Sequence, residues 1–202
     1  SLDSMLQGSG SSGTSSKRAK SQQQQDPPGP YRPAPLESFD LRSSPLGCAP
    51  ILDEEAHARH SDLSPVHVDA ELGGGILLVS PDVNVADLAS TRAKEVTQTR
   101  NMMRECLELL KRQVDDVQPD MVAHAYDPAG SYKGFCLTQP DGHALIVLNV
   151  AALLGASEFS VAVTLTHEVA HLVDERGHGA VWRARHMYLL EAMWRGWQEE
   201  WI

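Results

Sequence analysis

Two histidines and a glutamate, His167, Glu168 and His171, stand in the order H-E-x-x-H. They lie in a run from Ser160 to Glu175 that has no glycine or proline and reads as helix. Helical residues four apart lie one above the other, so the two imidazoles can reach a single metal ion. At about 100° per residue, Ala162, Leu165, Val169, Leu172 and Val173 form one apolar stripe. His167 and His171 point roughly the opposite way, with Glu168 at their flank. The stripe can therefore pack on a core while the histidines face a cleft. Neutral imidazole is a good ligand for Zn2+, and catalytic zinc sites keep three protein ligands plus a water. Bound zinc brings the pKa of that water to about 7. A carboxylate beside the ligands can take the water's proton and pass it to a leaving amine, and Glu168 is placed for that. The competing reading, a surface helix with two unrelated histidines, is disfavoured by the clean stripe.

A third ligand must come from downstream. The metal-binding pattern H-E-x-x-H-x-x-G-x-x-H needs glycine at position 174 and histidine at position 177, where the chain has Asp174 and Gly177. A reversal at Gly177 and Gly179 can still swing His178 back to the metal. The rival is Glu191, twenty positions after His171, a spacing similar to that of thermolysin-like enzymes with a glutamate ligand. The element that follows the helix, His178-Gly179-Ala180-Val181-Trp182, bears on the choice. H-E-x-x-H followed by H-G-x-x-W resembles the SprT-like zinc metallopeptidases and related small zincins, over about the last 70–100 residues. The resemblance implies His167, His171 and His178 as ligands of one catalytic Zn2+, Glu168 as general base, and an aromatic at Trp182 that packs the following helix. Members of that family often carry a zinc ribbon, and this sequence has no C-x-x-C.

The elements that must position these residues follow from pattern. Val66–Leu72 alternates like a strand, Gly73-Gly74-Gly75 breaks it, and Ile76–Val79 is a short apolar run. Asn84 can cap a helix predicted over Val85 to Val117, with Val96, Met103, Leu107, Leu110, Val114 and Val117 as its apolar stripe. Met121–Tyr126, Tyr132–Thr138 and His143–Asn149 read as strands, the last two joined by the turn Gln139-Pro140-Asp141-Gly142. A short helix over Val150–Leu154 leads to the metal helix, and Ala180–Glu200 is a final helix that buries Trp182, Leu189, Met193 and Trp197. The expectation is an α+β, zincin-like domain: long N-terminal helix, small antiparallel sheet, metal-binding helix, C-terminal helix. Either Ala144–Asn149 or Tyr132–Thr138 is expected to offer a sheet edge to an extended substrate. His186, Tyr188 and His124 are candidates for stabilising an oxyanion, none with a positional signature.

Composition bounds the rest. The chain has 202 residues, 42% of them hydrophobic, and a formal net charge of −10. No run reaches the ~18 apolar residues of a membrane span, and the first twenty residues lack the apolar core of a signal peptide. Cys48, Cys106 and Cys136 are an odd number with no close pair, which argues for a reducing, intracellular compartment and for Cys106 and Cys136 as core residues. From Val66 onward, 19 acidic and 11 basic residues speak against nucleic acid as a partner. Arg92, Lys94, Arg100, Arg104, Lys111 and Arg112 interleave with acidic residues and read as a solvated helix face. Residues 1–64, rich in Ser, Gln and Pro, read as a disordered tail or linker with short ordered pieces at Ser38–Leu41 and Ile51–His60; residues 65–202 form the domain. Lys17-Arg18-Ala19-Lys20 reads as part of that tail, and His57, His60 and His67 lack the fixed geometry of a second metal site.

The implied activity is zinc-dependent hydrolysis of peptide bonds in a protein or peptide substrate, with Glu168 as base. The alternatives are a catalytically silent zinc-binding module, which has no use for Glu168, and a regulatory peptidase similar to the ImmA/IrrE type, which would not carry H-G-x-x-W.

Overall fold

The computed structural model describes residues 31–39, 62–115, 117–173 and 178–200. The chain is α+β. Five strands, β1 (Ser64–Val68), β2 (Gly75–Val79), β3 (Val122–Tyr126), β4 (Gly134–Thr138) and β5 (Ala144–Asn149), make one sheet in the order β1-β2-β3-β5-β4. The helices are α1 (Val85–Gln113), α2 (Val150–Leu153), α3 (Glu158–Ala170) and α4 (Ala180–Glu200).

The sheet is mixed, not antiparallel as expected. β1–β2 and β4–β5 pair antiparallel, whereas β2–β3 and β3–β5 pair parallel. The reason is the long α1, which carries the chain back along the sheet as a crossover, so that β3 enters in the direction of β2. β5, buried along its whole length, is an interior strand. Of the two segments expected to offer an edge, only β4 lies at one.

α1 and α3 lie on one face of the sheet, and α4 packs against both helices. Leu77, Val79, Tyr126, Cys136, Ile146 and Leu148 point into them. The other face carries Leu78, Ala125, Phe135, Leu137, Leu145 and Val147, covered by Phe39, Leu63 and Tyr132. Two covered faces explain why β5 is a continuous apolar run. Residues 31–39 are thus packed, inside the stretch expected to be a tail. Tyr31 and Phe39 are buried, Arg32 N–H donates to Gly142 O at 2.8 Å, and Gln139 Nε2 donates to Ser38 O at 2.7 Å. The basic cluster at 17–20, the piece at 51–60, His57, His60 and Cys48 lie outside the described residues.

Local chemistry sets the element ends. Asn84 Oδ1 caps α1, accepting from Ala86 and Asp87 N–H at 2.9 and 3.3 Å. α1 stops at Gln113, short of Val117, because Val114 turns extended. The strand predicted to Leu72 ends at Val68. Ala70–Leu72 is a 3-10 turn, and Gly73, Gly74 and Gly75 all have positive φ, which glycine alone adopts freely.

Arg100 fixes that turn to α1. It is 2% exposed, not on the solvated face assigned to it. Its guanidinium donates to the carbonyls of Leu72, Gly74 (2.9 Å) and Ile76 (3.0 Å), and its Nε to His124 Nδ1 at 3.2 Å. Arg104 adds a bond to Gly73 O. Cys106 and Cys136 are buried and neither is in a disulfide, and burial pushes the Cys106 thiol up to about 12. No helix among the described residues is long and apolar enough to cross a membrane.

Candidate metal centre

α3 starts at Ser157, whose Oγ accepts from Ser160 N–H at 3.2 Å, and Glu158 in the first turn suits the helix dipole. Val161, Ala162, Leu165 and Val169 fix it in the core. The helix ends at Ala170, not Glu175. Its last turn tightens through bonds from His171, Leu172 and Val173 N–H to the carbonyls three residues back, at 3.1, 3.1 and 3.3 Å. The apolar stripe therefore stops at Leu172, and Val173 is 46% exposed. Asp174 to Gly177 lie outside the described residues.

His167, His171 and His178 converge. One ring nitrogen of each lies within 4.8 Å of the others, and Nε2 of His178 is 3.1 Å from Nε2 of His167. The ring centroids form a near-equilateral triangle with sides of 5.3, 4.9 and 5.0 Å. Trp182, one turn into α4, packs its ring 4.4 Å from that of His178 and 4.6 Å from that of His167. The aromatic expected in the core is therefore also a wall of the histidine cluster. Burial, then the neighbouring histidines, lowers the His167 pKa to about 3, so its ring is neutral at pH 7 with a lone pair to give. Three converging imidazoles are a donor set that suits zinc, as well as copper, iron or nickel.

Glu168 is 4% exposed, less open than the flank position predicted for it, because β4 lies over it. Its Oε2 has no hydrogen-bond partner among the described residues, and burial pushes its carboxyl up to about 8. A cleft of about 390 Å3 opens beside it, between Tyr132, Lys133 and Gly134 on one side and Phe159, Val163 and Thr164 on the other. His167 and Glu168 line it as well.

Asn149 holds the cleft wall formed by the β3–β4 loop. Its Oδ1 accepts from Asp127 N–H (3.1 Å) and Ala151 N–H (3.2 Å), and its Nδ2 donates to Asp127 O (2.9 Å) and Tyr132 O (3.1 Å). All four hydrogen-bonding positions of the buried amide are used, a role that the sequence did not disclose.

The other candidates separate cleanly. Glu191 lies with Phe159, Met187 and Trp194 in an outer groove of α4, and the described residues contain one cluster of potential ligands, the three histidines. Of the oxyanion candidates, His124 is buried against Arg100, and Tyr188 is exposed under Arg185. His186 lies beside the cluster, 5.6 Å from His167 between ring centroids. A backbone hydrogen bond joins it to Val163, and its Nε2 is buried without a partner among the described residues. Compared with known proteins, the chain matches no family model, no curated protein and no solved structure.

Proposed function

We propose that this protein is a zinc-dependent metallopeptidase, with His167, His171 and His178 holding one Zn2+ and Glu168 acting as general base and then acid. The observation that carries the proposal is a convergent trio of imidazoles beside a buried carboxylate without a hydrogen-bond partner at Oε2. When bound, zinc supplies a Lewis acid that polarises the scissile carbonyl and acidifies water. The protein's part is proton handling. Glu168 takes one proton from the attacking water and delivers it to the leaving nitrogen as the C–N bond breaks. A carboxyl whose proton affinity is raised toward neutrality can do both. A zinc site without turnover has no use for such a group, which costs folding energy to bury.

Substrate would enter as an extended chain along β4. Lys133 O accepts from Asn149 N–H and Gln139 N–H donates to His143 O, both at 2.8 Å, so the odd-numbered residues bond to β5. Gly134, Cys136 and Thr138 therefore turn their amides away from β5, to the outer side of β4, the last of the described strands. Two measurements test the proposal. Protein purified without added zinc should contain one equivalent by elemental analysis. It should also cleave an unfolded protein substrate in a chelator-sensitive manner, while Glu168→Gln keeps the metal and loses turnover. A metal-free, inactive protein that stays inactive when zinc is restored sinks the proposal.

A further inference from the structure

Gly134 opens the edge strand in an extended conformation that any residue accepts. Glycine inside a strand weakens it, through chain entropy and the missing side chain, and often marks a close approach by another group. Here the approaching group is Glu168. A Cβ built on Gly134 would lie 2.9 Å from Cγ of Glu168 and 3.2 Å from its Oε1, with Val147 O at 3.0 Å. Alternation along β4 gives the direction: Phe135 and Leu137 face away from the helices, Cys136 faces them, and Gly134 shares the face of Cys136. The absent side chain thus leaves the space that Glu168 fills. The same residue turns its own N–H and C=O away from β5, to the outer side of the last described strand.

We propose that Gly134 is a positioning residue for the reaction: its lack of a side chain sets how closely the Glu168 carboxylate sits beneath the edge that receives the substrate backbone. This rests on the peptidase reading above. Gly134 itself exchanges no proton and holds no metal; it acts through the position of Glu168. A methyl group at 134 pushes the carboxylate away from β4 and out of line with the attacking water. A displacement of about 1 Å at a reacting group lowers turnover on the order of 100-fold.

The test is a cycle of four proteins: wild type, Gly134→Ala, Glu168→Asp and the double variant. Zinc content, melting temperature and steady-state hydrolysis of an unfolded protein are measured for each. The expected result for Gly134→Ala is one equivalent of zinc, KM within about twofold, and kcat down about 100-fold. Its melting temperature should fall and be partly recovered in the double variant, because aspartate is one methylene shorter and vacates the contested space. If Gly134→Ala fails to fold, recovery of the fold in the double variant gives the same answer. Wild-type kcat in Gly134→Ala overturns the proposal, as does loss of zinc in proportion to activity. Equal melting temperatures for Gly134→Ala and the double variant also overturn it, since they put the conflict at Val147 O. If wild type hydrolyses nothing while the melting temperatures still couple, the catalytic role falls with the peptidase reading. That outcome is distinct from failure of the steric seat, in which hydrolysis survives Gly134→Ala.

Discussion

Nε of Arg100 donates to Nδ1 of His124 across 3.2 Å of the buried α1–sheet interface. The histidine is thus fixed as the tautomer with its proton on Nε2. The rest of the guanidinium caps three carbonyls around the Gly73–Gly75 turn. A buried cation here has no carboxylate partner among those contacts; backbone dipoles hold it. Arg100→Met should strand those carbonyls at about 1–3 kcal/mol for each one left unsatisfied. We expect a loss of at least about 3 kcal/mol in urea unfolding. A loss under about 1 kcal/mol would show that water replaces the guanidinium.

The pH dependence of the metal-free protein has two limbs. Burial holds His124 and His167 at about 3, below the ordinary histidine value, and pushes Glu168 up to about 8. Below pH 6.5 the unfolded chain binds more protons at the two histidines, so their contribution is complete above that value and lost as pH falls toward 3. For Glu168 the sign is reversed. The folded state holds the proton that the unfolded chain releases near pH 4.5, so stability declines as pH rises from there through 8. The melting temperature of metal-free protein should therefore peak at about pH 6–7. Glu168→Gln should flatten the alkaline limb alone, and an alkaline limb unchanged in that variant would show that burial does not set the carboxyl.

His178→Ala and Glu191→Ala separate the two ligand candidates. The first should weaken zinc binding by more than about 100-fold, beyond what loss of a group behind the ligands costs. The second should leave it within about twofold, because Glu191 lies in the outer groove of α4. Competition with a chromophoric chelator gives both numbers, and a larger effect from Glu191→Ala reverses the assignment.

Gly196 lets α4 approach α1. A Cβ there would lie 2.6 Å from Cδ1 and 2.9 Å from Cγ of Leu109, which is buried. Alanine would gain about 1 kcal/mol of helix propensity and lose about 1–3 kcal/mol to overpacking. Gly196→Ala should therefore be neutral to destabilising by up to about 2 kcal/mol. Leu109→Ala in the same chain should make that alanine favourable. A single variant more stable than wild type would show that the helices move apart freely.

What the sequence discloses follows from the range of the interactions involved. The spacing of His167, Glu168 and His171 lies within one turn of helix, and local periodicity reveals it. The ends of α4 and the cap at Asn84 are equally local. His178 emerged through a resemblance, since no period links it to the others. Strand order depends on pairings between distant segments, and the pattern of each strand carries no direction, so pattern alone does not tell this mixed sheet from an antiparallel one. Arg100 reads as solvated in the sequence because its neighbours alternate in charge, while the carbonyls it serves lie 24–28 residues away. Gly134 and Glu168 are 34 positions apart, and nothing near either in the chain announces the contact.

The segment at 31–39 has a practical consequence for how the polypeptide is cut. A fragment starting at residue 62 keeps the five strands and four helices of the described residues and every histidine of the cluster. It loses Phe39, which covers the sheet face of Leu78, Phe135, Leu137, Leu145 and Val147. That face, left with Leu63 and Tyr132 as its cover, would then be more exposed beside the edge strand β4, a combination that favours edge-to-edge association. Trimming to the first strand would leave the histidine cluster in place and compromise solubility. A fragment that includes residues 31–39 keeps that cover.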